Sequence, residues 1–98
     1  MRDLASLSAA DFLALVGTAF AVVDGDEAAI ELRLTEVVIP GERPGHRQPF
    51  SLRFLGPCAP LLEQATHRLV HTEMGALGLF LGPIASGSEG TIYEAVFG

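Results

Sequence analysis

Residues 66–73 read Thr66-His67-Arg68-Leu69-Val70-His71-Thr72-Glu73, two histidines four apart with an acid two residues further on. A helix and a strand compete for this stretch, and the choice decides the fold. A helical zinc motif of the H-E-x-x-H kind places a glutamate beside the first histidine, as the catalytic base. Here the spacer is Arg68-Leu69-Val70, with no acid in that place. The segment is of strand length between turn signals and carries Thr, Val and Thr, which favour extended chain. On a strand, His67, Leu69 and His71 share one face, while Arg68 and Val70 take the other. Four extended residues then separate the two histidine Cα atoms by roughly 13 Å. Zinc–nitrogen bonds are only about 2 Å long, so one ion can hardly bridge the pair. The stretch is read as a strand with two half-buried histidines, one packing and the other hydrogen-bonding. His46 and Cys58 are the remaining donors, and no metal or cofactor is expected.

Working outward, the same two-residue period recurs. Ile30, Leu32 and Leu34 alternate with Glu31, Arg33 and Thr35, and Phe50, Leu52 and Phe54 alternate with Ser51 and Arg53. Strands are therefore expected at 18–23, 28–39, 50–55, 64–72, 77–84 and 91–97, with a bulge or bend near Glu36-Val37-Val38. Turns are marked by Asp24-Gly25-Asp26-Glu27, Glu73-Met74-Gly75 and Gly87-Ser88-Glu89-Gly90. Before the strands, Ser8 is a good N-cap with Asp11 as its capping-box partner. Leu7 and Phe12 stand at the hydrophobic-staple positions, and Gly17 stops the helix. Phe12, Leu15 and Val16 form the apolar face of about two helical turns. The expected fold is mainly β: a small antiparallel barrel or sandwich of about six strands, a short N-terminal helix closing one end. Its core is expected to centre on Phe20, Ile30, Leu32, Leu34, Phe50, Leu52, Phe54, Leu69, Leu79, Leu81, Tyr93 and Phe97.

Ninety-eight residues suit one domain, 1–98. Hydrophobic residues make up 49% and charged residues 18%, which favours a packed core over disorder. A formal charge of -6 opposes binding to phosphate backbones, so nucleic acid is not an expected partner. A single Cys58 cannot form an intrachain disulfide. Residues 12–23 (FLALVGTAFAVV) imitate the apolar part of a signal peptide, with Ala19-Phe20-Ala21 as a cleavage site. Arg2 is the only basic residue ahead of them, and Asp3 and Asp11 are acidic. No signal peptide is expected, and the location is read as cytoplasmic. The run is also too short to span a bilayer.

Enzyme signatures are missing: there is no G-x-S-x-G elbow, P-loop or G-x-G-x-x-G. Asp24, Asp26 and Glu27 lack the spacing of a calcium loop, and Ser86, Ser88 and Glu89 read as a hairpin tip. No catalytic, cofactor-binding or metal-binding residue is assigned. The 40–49 connection (PGERPGHRQP) gathers Arg43, His46 and Arg47, a cationic cluster on an acidic chain and a candidate interaction loop.

The runs PFSLRFLGP (49–57), PLLEQATHRLVHTEMGALGLFLGPI (60–84) and YEAVF (93–97) resemble a family of short uncharacterised bacterial domains. An F-x-x-x-x-G-x-x-F start matches Phe12, Gly17 and Phe20. The family carries an aromatic where His67 stands and ends in Asn where this chain has Gly98. Its function is not established, so it lends no site residues. The resemblance implies gene neighbours that are phage-tail-collar-like, and by analogy a fibre-associated role.

Two functions follow. The first is a non-enzymatic structural or assembly module that binds a protein partner, tail-fibre-like by the resemblance, through a sheet edge or the 40–49 loop. A homo-oligomer is compatible with it. The second is a small-ligand-binding barrel or an enzyme of unrecognised type, with His67, His71 and Tyr93 at an open barrel end. A filled interior favours the first, a deep pocket the second.

Overall fold

The computed structural model describes residues 7–23, 30–40 and 49–97. Among the described residues, one helix, α1 (Ala9–Leu13), precedes six strands: β1 (Ala19–Val22), β2 (Ile30–Val38), β3 (Phe50–Gly56), β4 (Ala65–His71), β5 (Gly75–Gly87) and β6 (Gly90–Phe97). They close into an antiparallel barrel in the order β1-β2-β3-β6-β5-β4, with β4 returning to β1 through Ala21↔Val70 and Val22↔Leu69. Barrel and sandwich were both open from sequence; closure selects the barrel. Closure also leaves no terminal strand, so the sheet edge expected as a docking element is removed.

Strand alternation sets the facing. In β3, Phe50, Leu52 and Phe54 point inward, and Ser51, Arg53 and Leu55 lie on the other face, only half-buried. In β2 the period breaks between Leu34 and Glu36, where the pairing with β3 shifts by a residue. That is the expected bulge, and it lets Val37 rejoin the core. Of the expected core, all but one residue is buried; Ile30 is half-buried against it. β5 is longer than expected and runs from Gly75 to Gly87, with a second register shift between Pro83 and Ala85. Proline has no N–H to give a ladder, and the irregularity accommodates it.

The helix seals one end. Ser8 caps it, its N–H donating to Asp11 Oδ2 at 2.8 Å. Leu7 and Phe12, the staple positions, are both buried. Phe12 places its ring 5.9 Å from Phe50 and 5.4 Å from Phe97, while those two stack at 4.6 Å. The apolar face is narrower than expected: Leu15 is buried but Val16 is exposed. The helix ends at Leu13, before Val16 could join that face, and the chain turns at Gly17 (φ 93), whose N–H donates to Leu34 O.

β3 and β4 are not neighbours, so residues 57–64 must cross the opposite end. This makes β3 to β6 a Greek-key set, with β6 beside β3 and β4, β5 and β6 as a meander.

Candidate functional site

The two histidines of β4 point into the barrel and are buried, not half-buried. Each imidazole can be buried because a partner outside the β4 ladder satisfies it. His67 Nε2 lies 2.8 Å from Glu63 O in the crossover, and a carbonyl only accepts, so this nitrogen carries the proton. His71 has the richer set. Its Nδ1 accepts from the N–H groups of Glu73 (3.0 Å) and Met74 (3.3 Å) in the β4–β5 turn. Its Nε2 must then be the protonated nitrogen, and it donates to Thr18 Oγ1 at 2.8 Å. The Thr18 hydroxyl in turn donates its own hydrogen bond to Leu15 O at 2.6 Å. Both imidazoles hydrogen-bond; neither merely packs. The His71 ring also lies 4.6 Å from that of Phe20.

Tyr93 is fully buried, and its hydroxyl accepts the Leu62 N–H at 2.9 Å. Leu62 and Glu63 adjoin, so the crossover brings Tyr93 and His67 to one end of the barrel. His71 belongs to the helix end, with Thr18 and the β4–β5 turn. The three residues of the ligand-barrel reading thus divide between opposite ends. Every buried side-chain nitrogen and oxygen among the described residues has a hydrogen-bond partner. No three His, Cys, Asp or Glu side chains among them come together as a metal-holding group. Arg43, His46 and Arg47 lie outside the described residues.

Outside the barrel, one row crosses four strands. Glu36, Arg53, Glu94 and Gly82 are consecutive register partners on β2, β3, β6 and β5. Arg53 Nη1 is 3.6 Å from Glu36 Oε2, and its Nε is 3.4 Å from Glu94 Oε2, so one guanidinium serves two carboxylates. Beside this row runs a groove of about 400 Å³ lined by Gln64, Phe80, Gly82, Ile84, Glu94 and Val96 among others. Phe80 is 57% exposed, Ile84 50% and Val96 67%. Sequence reasoning passed over this face, although a signal was present. In β5 the inward residues are Leu77, Leu79 and Leu81, so Phe80 is an aromatic on the wet side of an alternating strand.

Residues 7–97 match the family described as "Domain of unknown function (DUF6916)". The chain belongs to this family. The match spans nearly all of the sequence, helix and six strands together, so the closed barrel is the body of a DUF6916 domain. No curated protein and no solved structure matches the chain. No helix among the described residues is long and apolar enough to cross a membrane.

Proposed function

We propose that this chain is a non-enzymatic assembly module, a single domain that binds a protein partner through the outside of its barrel. The observation that carries the reading is the state of the barrel's inner polar groups. His67, His71 and Tyr93, the residues best suited to an interior site, are buried, divided between two ends and already hydrogen-bonded within the chain. A small-molecule site needs polar groups converging on shared open space. Here they converge on the helix end, the turn and the crossover instead.

The likeness of its sequence blocks to bacterial domains encoded beside phage-tail-collar-like proteins makes a tail-fibre-like component the partner of this proposal. A cytoplasmic location belongs to it as well, supported by the exposed, unpaired Cys58.

The test is an affinity-tagged copy expressed from its own locus, with cross-linking before mass spectrometry. A tail-fibre-like protein captured in fixed stoichiometry is the expected result. Elemental analysis of untagged protein supplies the opposing outcome. Stoichiometric zinc that vanishes in a His67→Ala, His71→Ala double variant would overturn the proposal and favour an enzyme.

A further inference from the structure

The groove between Phe80, Ile84 and Val96 stands apart from everything the fold requires. The inner faces of β5 and β6 supply the core through Leu77, Leu79, Leu81, Tyr93, Ala95 and Phe97. Phe80 and Val96 face the other way and are more than half exposed. Residues 76–88 contain no charged side chain, on a chain with a formal charge of -6. The solvent-facing side of a strand ordinarily carries polar or charged residues, and on β5 it carries no charge. Apolar residues that group on a sheet face mark an interaction site more often than isolated ones do.

The charge beside the groove says what kind of surface fits. Glu94 is the groove's acidic wall, and its only ion-pair partner among the described residues is Arg53. Arg53 is shared with Glu36, so the pair of carboxylates exceeds the guanidinium by one negative charge. A second copy would bring the same excess, and another net charge of -6, against this face. A cationic side chain would instead balance it. Spacing adds a further constraint. Val96 and Glu94 are alternate residues of β6, and such residues lie about 6.8 Å apart along a strand. An extended segment repeats its own same-face side chains at that period. Opposite Glu94, Gly82 contributes no side chain, and the stem of Gln64 lies directly over it, so a Cβ there would stand 2.8 Å from Gln64 Cβ and Cγ. The Gln64 stem thus takes the place of a side chain between Phe80 and Ile84 and forms the groove floor there.

We infer that this groove docks an extended segment of a protein partner whose same-face side chains run apolar, basic, apolar, the basic one meeting Glu94 and its neighbours covering Phe80, Val96 and Ile84. The inference rests on the assembly reading and names the face and chemistry of the partner. It is tested by titrating isotope-labelled protein with the capped peptide Val-Ser-Arg-Ser-Val while recording backbone amide spectra. Two control peptides replace Arg by Glu, or both Val residues by Ala. Saturable shifts centred on Phe80, Gly82, Glu94 and Val96 are expected with the first peptide. Glu94→Gln should weaken that binding roughly threefold, as an exposed charge pair does. Phe80→Ser should remove saturation while the rest of the spectrum stays dispersed. Equal binding of the Arg and Glu peptides, or no saturable shift, would overturn the inference. So would a concentration-dependent dimer abolished by Phe80→Ser, because the face would then belong to a second copy. Shifts elsewhere on the outer surface would overturn the docking face alone, whereas shifts at Leu69, His71 and Tyr93 would also sink the filled-barrel reading beneath it.

Discussion

His71 should be among the most costly polar residues to remove, and the cost can be worked from its contacts. In His71→Ala the N–H of Met74, a buried residue, loses its acceptor, and an orphaned buried donor costs about 1–3 kcal/mol. The N–H of Glu73, an exposed residue, can turn to water at little cost. The bond to half-buried Thr18 contributes about 1 kcal/mol. Emptying the imidazole's place against Phe20 adds a cavity term, bringing the total to about 3 kcal/mol. With a urea dependence near 1.5 kcal/mol per molar, the unfolding midpoint should fall by about 2 M. Two further variants separate the two ends of the ring. His71→Asn sets an amide oxygen near the place of Nδ1 and keeps an acceptor for the turn, but cannot reach Thr18. His71→Gln reaches Thr18 and abandons the turn. Because the turn carries the buried donor, the order of loss should be Asn, then Gln, then Ala. An Ala variant that loses under about 1 kcal/mol, or a Gln variant milder than Asn, would refute the assignment of roles to the two nitrogens.

Phe54→Ala empties a fully buried site whose ring lies 5.5 Å from Phe20, edge to face, and should cost about 3–5 kcal/mol by denaturant titration. Phe80→Ser, on the outer face, should change stability by no more than about 0.5 kcal/mol in the same assay; a large loss would mean the ring supports the fold. Gly90 has φ 139, and a Cβ there would run into the carbonyl oxygen of Gly56, so Gly90→Ala should lower the unfolding midpoint by at least the equivalent of about 1 kcal/mol. Arg53→Ala should cost about 1 kcal/mol or less, because its two ion pairs are only partly buried and reach solvent, and salt should shrink the difference further.

What the sequence made legible follows from what local pattern can encode. Period-two alternation in β2, β3 and β4 fixes which residues face inward, because a pleated strand allows no other choice. Ser8 and Asp11 announce the start of the helix by the backbone groups they satisfy, whereas Gly17 marks the turn into β1 and not the helix end, which falls at Leu13. Strand β5 was harder, since Gly75 to Gly87 is apolar or small on both faces and its polar residues come only at the end. Without alternation, 77–84 is all that the pattern marks, and the turn-like residues Gly75 and Ser86-Gly87 hide both ends. The burial of His67 and His71 was hidden for another reason. Their partners, the Glu63 carbonyl and the Thr18 hydroxyl, reach them only when the crossover and the helix end are in place. Likewise, Arg53 reads as a solvated charge in sequence, and only the β2-β3-β6 register sets it between Glu36 and Glu94.

A six-stranded barrel this small spends its interior on stability. The rings of Phe12, Phe20, Phe50, Phe54 and Phe97 and the leucines of four strands occupy it. The few polar groups inside are committed to holding the helix, the turn and the crossover onto the barrel ends. Closure withdraws the backbone too, because a sheet with no terminal strand has little ladder to offer a partner. Under the proposed function, recognition is left to side chains on the outside, where polar residues and scattered apolar ones such as Leu13 and Leu61 are exposed together. An exposed phenylalanine on an uncharged strand is different, since it contributes little to the fold and adds a standing risk of aggregation. That risk is hard to explain by folding alone. It is explained if Phe80, with Val96 and Ile84 around the Glu94 carboxylate, is covered when the module is at work.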